Sequence, residues 1–346
     1  MSSTMTHWER IRAAIGGEEV DRVPISLWRH WANADETALG LACSTLRWQR
    51  EFDFDLVKFS PTGTYGIEDW GAETRFFPNE HGVRTVVKRG VISPEGWPRL
   101  HVQDPREGYL GRQIEALRIT AEELEGSLPI LMTVFSPLTT ARKLAGDRVF
   151  TDARLHPEVF KEGLQIIAET TAQFARASAR AGASGIFFAT QCASYREMPE
   201  DEYREFGEAF DRVVLDAVRD EVEIVMLHAH GEDLMFDLVA SYPIDAINWH
   251  DRAAGPSLAE ARERFPGMLV GGVSEWTTLL EGPVEAIEAE IEDAVAQTGG
   301  RGYMVGPGCV IPTHAPHDHI RVAREAVERI GMPKRPRRSP GCQGPL

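Results

Sequence analysis

Residues 185–231 read GIFFATQCASYREMPEDEYREFGEAFDRVVLDAVRDEVEIVMLHAHG, and this stretch decides the fold. It begins and ends with a continuous apolar run, at residues 185–191 and 223–231. Between these runs, residues 200–220 place apolar side chains near one face of a helix, with the charges largely opposite. Runs this continuous are typical of strands buried on both faces of a parallel sheet. The stretch therefore predicts a strand, a helix and a second, parallel strand.

The same alternation continues along the whole chain. Two more long helices are predicted at residues 156–182 and 283–299. Further strands are predicted at residues 23–30, 56–61, 129–137, 246–251, 268–274 and 303–310. About eight strand–helix units in series indicate an α/β fold, a single closed (β/α)8 TIM barrel. A doubly wound open sheet is the alternative, but no glycine-rich phosphate loop follows the first predicted strand.

The second unit of this barrel is interrupted by an insertion. Residues 65–100 contain a pattern that predicts a β-hairpin turning near residues 79–82, which we expect beside the barrel mouth. Residues 1–331 are therefore expected to form one barrel domain. Residues 332–346 are basic and rich in proline, and we expect them to be a mobile tail.

Composition narrows the range of partners. The 346 residues include 53 acidic and 37 basic side chains, giving a formal charge of −16. Such a surface repels polyanions, so neither nucleic acid nor a membrane is expected as a partner, and a small molecule is the expected substrate. The chain contains no long apolar run, a polar start without the core of a signal peptide, and four widely spaced cysteines. These features predict a cytoplasmic protein.

Two motifs at predicted strand ends contain metal-ligand residue types. In LHAHG, His228 and His230 lie two residues apart, so their side chains point to the same side of a strand. In GPGCVIP, Cys309 ends the last predicted strand. Two imidazoles and a thiolate leave one tetrahedral position open, which is the pattern of a catalytic zinc site. The alternative is that these are hydrogen-bonded core histidines and a buried cysteine.

The neighbouring strand ends contain candidates for proton transfer. His250 and Asp251 are adjacent at the end of one strand, so only one of them is expected to point inward. His250 is a candidate proton donor, and Asp251 is a candidate substrate-binding residue. Glu275 follows another strand and is either a fourth ligand, a general base or the cap of the next helix.

Four further residues are candidates for substrate binding. Arg29 is expected to hold a carboxylate or phosphate, or else to form an ion pair. Ser60, Gln191 and Tyr195 lie at or just after strand ends and are expected to shape the substrate pocket. Cys192 has no obvious base beside it, so it is not expected to act as a nucleophile.

The order and spacing of five motifs are similar to those of the uroporphyrinogen decarboxylase superfamily, over about residues 8–330. The motifs are EEVDRVPISLWRHW (18–31), FDFDLVKFSP (52–61), GASGIFFATQCASYREMPEDEY (182–203), LHAHGED (227–233) and GPGCVIPTHAPHDHI (306–320). The resemblance implies a (β/α)8 barrel. It also implies either decarboxylation or zinc-dependent methyl transfer with corrinoid proteins and thiols. Because relatives pair their barrels, it further implies a homodimer.

The chain departs from the decarboxylase motifs at several positions. Where the decarboxylases carry two arginines in MRQAGR, this chain has Arg29 and then Asn33. Their FSD aspartate is replaced by Pro61, and Cys309 falls near their GHG histidine. Few basic residues occupy the predicted strand ends, although a polyanionic tetrapyrrole needs several arginines. Decarboxylation of such a tetrapyrrole is therefore disfavoured.

The methyltransferase branch of the superfamily fits better. Its zinc motif resembles HxC followed by a later cysteine, and His228 and Cys309 match two of these ligands while His230 replaces the first cysteine. The resemblance predicts a zinc-dependent methyltransferase in which zinc activates a thiol or similar acceptor. Because no corrinoid-binding segment is recognisable, a corrinoid is expected on a separate carrier protein. The alternatives are a metal-free decarboxylase that holds a smaller carboxylate on Arg29, and a non-catalytic corrinoid- or porphyrin-binding barrel.

Overall fold

The computed structural model describes residues 4–330, and its centre is a curled sheet of parallel strands. The predicted tail at 332–346 lies outside the described residues. The sheet consists of β1 (Val57–Phe59), β4 (Ile130–Phe135), β5 (Gly185–Thr190), β6 (Ile224–Ala229), β7 (Ala246–Trp249), β8 (Met268–Val273) and β9 (Tyr303–Pro307). Each strand is hydrogen-bonded to the next in this order. The predicted (β/α)8 barrel is confirmed.

The first predicted strand, residues 23–30, closes the barrel with a single bridge and is not a full strand. Ile25 pairs in parallel with Val305 of β9, and the Ser26 N–H donates to the Val305 carbonyl over 3.0 Å. On the other side, the Asp55 N–H donates to the Ile25 carbonyl over 2.9 Å. The segment therefore joins the two edge strands of the sheet, although the predicted length of this strand is wrong.

One buried carboxylate holds this closing segment in place. Asp55 is fully buried, accepts the Ile25 N–H over 2.9 Å, and pairs with Arg10 and Arg22 at 2.6 Å each. Burial alone would raise the pKa of this carboxyl. The hydrogen bond from His7 and the two guanidinium groups outweigh burial and hold the pKa well below its usual range.

Helices surround the sheet. They are α1 (His7–Ile15), α2 (Ala38–Phe52), α3 (Gly108–Leu124), α4 (Pro137–Ala145), α5 (Arg148–Leu155), α6 (Pro157–Arg180), α7 (Glu200–Tyr203), α8 (Ala209–Val218), α9 (Phe236–Ala240), α10 (Leu258–Arg264), α11 (Thr278–Glu281), α12 (Val284–Thr298) and α13 (His317–Ile330). The helices predicted at residues 156–182 and 283–299 are α6 and α12. A π turn, Arg204–Glu208, joins α7 to α8 within the predicted helix at 200–220. Between residues 4 and 330, we find no helix with the length and apolar character that crossing a membrane requires.

The predicted hairpin insertion is confirmed. It consists of β2 (Glu73–Phe76) and β3 (Arg84–Lys88), which pair antiparallel. Its tip rests on the loop after β9, where the Thr313 N–H donates to the Glu80 carbonyl over 2.8 Å. Gly82 has φ +69° and fits so closely there that a Cβ would lie 2.6 Å from Thr313. The hairpin therefore forms one wall of the barrel mouth.

Alternating strand positions fill the barrel interior. The buried interior cluster includes Leu56, Leu131, Phe187, Ala189, Ile224, Met226, Ala246, Met268, Val270 and Met304. Helix α1 closes the amino-terminal end of the barrel with Ile11 and Ala14, which belong to the same cluster. Because strand side chains alternate, the rows that start at Leu56, Ile224 and Ala246 continue toward the carboxyl ends as polar side chains. The functional site is built from these continuations.

Candidate metal centre and active site

Three histidines and one cysteine converge at the carboxyl ends of the strands. His228 ends the interior row of β6, His230 and His250 follow β6 and β7, and Cys309 follows β9. One ligand atom from each of the four lies within 4.8 Å of every other. His230 Nδ1 is 3.2 Å from His250 Nε2 and 3.7 Å from Cys309 Sγ. The structure thus brings together the three residues that the sequence predicts as metal ligands, and it adds His250.

A buried asparagine fixes the orientation of His228. Asn248 is the next residue on the interior row of β7, and its amide donates to the carbonyls of Val270 and Pro307 over 2.9 Å each. These two bonds leave Oδ1 of Asn248 as an acceptor, 2.7 Å from His228 Nδ1. His228 Nδ1 therefore carries the proton, and its Nε2 lone pair is left for the cluster. Hydrogen bonds of this kind are typical partners of metal-binding histidines.

Glu275 supports His250 from behind. Its Oε1 lies 3.5 Å from His250 Nδ1, and its Oε2 accepts the Gly308 N–H over 3.1 Å. A Cβ at Gly308 would lie 3.0 Å from the His250 Cα, so glycine allows the loop before Cys309 to pass this closely. The two sequence-predicted residues His250 and Glu275 therefore form a pair, and the carboxylate lies on the side of the ring opposite His230.

The cluster favours an ionised sulfur. Burial opposes ionisation of Cys309, but the interactions of its sulfur with His228, His230 and His250 outweigh burial and hold the pKa of the thiol well below its usual range. Burial alone would also lower the pKa of His250, yet the bonds to Cys309 and Glu275 raise it to about 10. Burial lowers the pKa of His228, which keeps that ring neutral. A thiolate on Cys309 and a neutral imidazole on His228 are suitable donors for a soft cation.

A cavity of about 370 Å³ lies beside the cluster. It lies between the hairpin and the strand ends, and its apolar walls include Trp28, Phe135 and Phe187. Two lysines, Lys58 and Lys143, also line it. Lys58 belongs to β1, whereas Lys143 belongs to helix α4 and not to a strand end. The alternation from Leu56 to Lys58 in β1 was the sequence signal that would have identified the first of them.

Burial affects both lysines and a neighbouring histidine. It lowers the pKa of Lys58 and of Lys143 to about 8 each. Burial, together with the charge of Lys58, lowers the pKa of His30 to about 3, so this ring is neutral. The cavity therefore joins an apolar wall, two ammonium groups and the metal-ligand cluster.

Of the remaining predicted site residues, some line this cavity and others face away from it. Gln191 lines it. Asp251 faces away from the cluster and accepts the Gly272 N–H over 3.1 Å, while burial raises its pKa to about 6. Only His250 of the His250–Asp251 pair points inward, as the alternation predicts. Ser60 is buried and donates to the Lys58 carbonyl over 3.2 Å.

Arg29 and Tyr195 lie outside the cavity. Arg29 is on the opposite side of its segment from Trp28, and its guanidinium lies over the rings of Trp31 and Trp48, 5.3 and 5.7 Å from their centres. Tyr195 is 57% exposed and donates to Glu200 over 2.5 Å. The geometry therefore brings neither side chain to the metal-ligand cluster. Cys192 is fully buried, and burial raises the pKa of its thiol to about 12, which agrees with its expected inertness.

The donor set fits a zinc ion. Imidazole nitrogen and thiolate sulfur are the ligands that zinc prefers, whereas magnesium and calcium take oxygen ligands. His228 and the ionised Cys309 contact each other, and one ligand atom of each lies within 4.8 Å of a ligand atom of His230 and of His250. These residues therefore satisfy the ligand type and the convergence that a zinc site requires.

Comparison with known proteins identifies the family of this chain. The family model for uroporphyrinogen decarboxylase (URO-D) matches residues 6–330. Methylcobamide:CoM methyltransferase MtaA of Methanosarcina barkeri is 28% identical over 214 residues, which is 60% of this chain and 60% of that protein. The uroporphyrinogen decarboxylase of Edwardsiella ictaluri is 26% identical over 307 residues, which is 85% of this chain and 84% of that protein. The chain thus matches less than two thirds of the length of MtaA.

A solved structure supports the same architecture. A methyltransferase from Methanosarcina mazei superposes with a TM-score of 0.83 at 22% identity, covering 94% of this chain and 99% of that chain. At this identity the likeness establishes the barrel fold. The sequence resemblance to the superfamily is confirmed, and relatives of both activities are found.

Proposed function

This chain belongs to the uroporphyrinogen decarboxylase family, and we propose that within it the protein is a zinc-dependent methyltransferase. The convergence of His228, His230, His250 and Cys309 on one point is the observation that carries the proposal. Relatives named methyltransferases and relatives named decarboxylases both match the chain, so the family alone leaves the reaction open. The metal-ligand cluster favours the first of them.

In this proposal His228, His230 and Cys309 hold the metal, and His250 stands at the fourth side, where the acceptor binds. Zinc bound there would lower the pKa of a thiol acceptor and keep its sulfur in place. Two contacts support this ligand set: Asn248 orients His228, and Gly308 lets the loop before Cys309 pass close to His250.

The His250–Glu275 pair takes the proton of the acceptor. Nε2 of His250 faces the cluster, while Nδ1 faces the Glu275 carboxylate. The contact with the Cys309 sulfur is the first cause that raises the pKa of His250, so a metal bound to that sulfur would leave the ring free to gain a proton, which the Glu275 carboxylate stabilises. The acceptor sulfur, having lost its proton to Nε2, forms a bond to the methyl carbon. The bond between that carbon and the donor breaks at the same time, and its electron pair leaves with the donor.

We propose a methylated corrinoid on a separate protein as the methyl donor. The relatives named methylcobamide:CoM methyltransferase support this choice. The described residues are accounted for by one barrel and its hairpin, so the donor must approach the cavity from the mouth. The cytoplasmic location and the homodimer remain predictions.

A metal-free decarboxylase is the second candidate. It is favoured by the length of the match to the Edwardsiella ictaluri decarboxylase, which covers more of the chain than the match to MtaA. Against it, the sequence replaces the aspartate of the FSD motif by Pro61, and Arg29 points away from the cavity. Arg29, the carboxylate anchor expected for this candidate, therefore does not line the cavity.

Metal analysis and a transfer assay together test the proposal. Protein purified without a histidine tag is expected to contain about one zinc per chain and to form a thioether from methylcobalamin and a simple thiol. His228→Ala is expected to lose both properties. Less than about 0.2 zinc per chain in the unaltered protein would reject the metal site. Carbon dioxide release that persists in Cys309→Ser with chelator present would favour the decarboxylase.

A further inference from the structure

We propose that Lys58 is a nucleophile that forms an imine with a small aldehyde or ketone bound in the cavity. This reaction needs no metal, so it is an activity beyond the methyl transfer proposed above. It rests on the surroundings of Lys58 and on the way in which the chain uses lysine, whereas the transfer rests on the metal-ligand cluster.

Lysine is scarce in this chain, and the cavity holds a large share of it. Of the 37 basic side chains, five are lysines and the rest are arginines. The five are Lys58, Lys88, Lys143, Lys161 and Lys334. Two of them, Lys58 and Lys143, line this one cavity. Because arginine stays protonated in proteins, only a lysine can supply a neutral amine at such a position.

Lys58 is a buried amine without a protein partner. It lies on the interior row of β1, is 8% exposed and lines the cavity. Within the described part of the chain, its Nζ makes no hydrogen bond or ion pair, and the centre of the Phe187 ring lies 4.9 Å from it. Burying an unpaired ammonium group is costly, and an aromatic face offsets only part of that cost. The site therefore favours the neutral amine, which is the nucleophilic form of lysine.

Lys143 supplies a second positive charge and a proton donor. It reaches the cavity from helix α4, and its Nζ donates to the Gly63 carbonyl over 2.9 Å. Because a carbonyl accepts more strongly from a charged donor, this bond favours the protonated form of Lys143, whereas Lys58 has no such acceptor in the described chain. Burial lowers the pKa of Lys58 to about 8, and the charge of Lys143 adds to this effect. A lysine that is desolvated beside another cation is activated as a nucleophile.

The walls of the cavity suit a neutral carbonyl compound. Within residues 4–330, no aspartate or glutamate lines the cavity, so no carboxylate holds Lys58 in its charged form. The rings of Trp28, Phe135 and Phe187 exclude water, which protects an imine from hydrolysis. A volume of about 370 Å³ admits a small molecule. The substrate class is therefore a small aldehyde or ketone with an apolar body.

The reaction forms one carbon–nitrogen double bond and releases one water. The neutral Nζ of Lys58 forms a bond to the carbonyl carbon, and the carbonyl oxygen takes a proton from Lys143. One proton then moves from the nitrogen to that oxygen. The nitrogen lone pair completes the double bond as the carbon–oxygen bond breaks, and the oxygen leaves as water. The protonated imine carries the positive charge that Lys143 has given up.

Reductive labelling at pH 7 tests the proposal. The unaltered protein is treated with benzaldehyde and cyanoborohydride, which reduces an imine to a stable amine, and peptide mass analysis measures each lysine. At this pH an amine with a pKa of about 8 is neutral in about one molecule in ten, against fewer than about one in a thousand for lysine in a model peptide.

We expect Lys58 to be labelled at least about tenfold faster than Lys161, whose pKa is raised by its hydrogen bond to Glu205. The rate at Lys58 is also expected to saturate with benzaldehyde concentration, because the aldehyde binds before it reacts. Labelling of Lys58 no faster than that of Lys161 would overturn the proposal, as would preferential labelling of Lys143. A rate at Lys58 that rises linearly with concentration would exclude a bound carbonyl compound.

A β-diketone gives a spectroscopic readout. Acetylacetone and a neutral amine form a conjugated enaminone that absorbs in the near ultraviolet. We expect about one enaminone per chain in the unaltered protein and in the control Lys161→Arg, and none in Lys58→Arg, which keeps a cation but has no nucleophile. Lys58→Met should also lose the band, with a urea midpoint that equals or exceeds that of the unaltered protein, because it removes a buried unpaired charge. A band that survives in either Lys58 variant would contradict the assignment.

Zinc removal distinguishes this inference from the proposed function. After treatment with a chelator, the rate of labelling at Lys58 is expected to stay within about twofold of its original value, while methyl transfer is lost. Labelling that requires zinc would overturn the metal-free reaction and leave the methyltransferase proposal standing. Unchanged labelling in a protein that never transfers a methyl group would support the imine and reject the transfer.

Discussion

Asn248→Ala is the sharpest test of how the fold prepares the metal site. The substitution removes three buried hydrogen bonds: one from His228 Nδ1, and two to the carbonyls of Val270 and Pro307. Each group left without a partner costs about 1–3 kcal/mol, so we expect the free energy of unfolding to fall by about 3–5 kcal/mol. Because His228 also loses its fixed orientation, zinc affinity should fall about 10- to 100-fold.

Asn79→Ala supplies a matched control for this variant. Asn79 also makes three side-chain hydrogen bonds, to Phe77 and Val83, but it lies in the hairpin turn away from the cluster. We expect it to lower stability by about 1 kcal/mol and to leave zinc affinity unchanged. Urea unfolding and competition with a chromophoric chelator measure the two quantities. Zinc affinity of Asn248→Ala within twofold of that of Asn79→Ala would refute the orientation argument.

Three further predictions concern other parts of the molecule. His250→Ala should retain zinc but lose methyl transfer, because His250 is proposed to accept the proton of the acceptor and not to bind the metal. If metal analysis shows that this variant loses its zinc, His250 is a metal ligand instead. Asp55→Asn should lower the free energy of unfolding by about 1–3 kcal/mol, because it removes the buried carboxylate that Arg10 and Arg22 share while each guanidinium keeps a second carboxylate, Asp21 or Glu328. Asp104→Asn, at an exposed pair, should cost less than about 1 kcal/mol. The folded-state pKa of Asp55 is lowered, so the stabilisation by this carboxylate is present above about pH 4 and is lost as the pH falls. The urea midpoint of the unaltered protein should therefore decrease as the pH is lowered below about 4, and a midpoint that stays constant there would contradict this. Gly82→Ala should raise KM with zinc content unchanged, because the new Cβ would meet the loop after β9. Gly126 has a similar φ of +71° and no neighbour within 4 Å, so the control Gly126→Ala should leave KM unaltered. Equal KM values for the two variants would exclude a role of the hairpin tip.

The sequence predicted the barrel because buried parallel strands leave continuous apolar runs. Seven of the eight predicted runs contain a strand of the sheet. The run at residues 23–30 does not form a full strand, since its backbone bonds to β9 are those of Val305, whose carbonyl accepts the Ser26 N–H and whose N–H donates to the Pro24 carbonyl. An apolar pattern reports burial, and it does not report how many backbone pairs a closing segment makes.

The metal-ligand cluster was predictable because strand ends of a barrel meet at one mouth. The spacing in LHAHG placed His228 and His230 on one side, and the structure brings Cys309 to them. The direction in which a strand side chain points was harder to predict, because a register shift of one residue reverses it. Arg29 is an example: the sequence suggested that it holds the substrate, but it points outward, whereas its neighbours Trp28 and His30 line the cavity.

The partners behind the cluster could not be predicted from spacing. Asn248 acts through a register match between β6 and β7, in which it pairs with His228. Glu275 reaches His250 from another strand end. Lys58 was hidden within an apolar run, although its position two residues after Leu56 places it on the interior row. Each of these contacts depends on strand register, which a single sequence does not specify.

X-ray absorption at the zinc edge tests the central claim most directly. Tag-free protein is expected to show zinc bound by one sulfur at about 2.3 Å and by two or three nitrogens at about 2.0 Å, and Cys309→Ser is expected to lose the sulfur signal. A metal shell of oxygen and nitrogen alone in the unaltered protein, or a sulfur signal that survives Cys309→Ser, would contradict the assignment of His228, His230 and Cys309 to one ion.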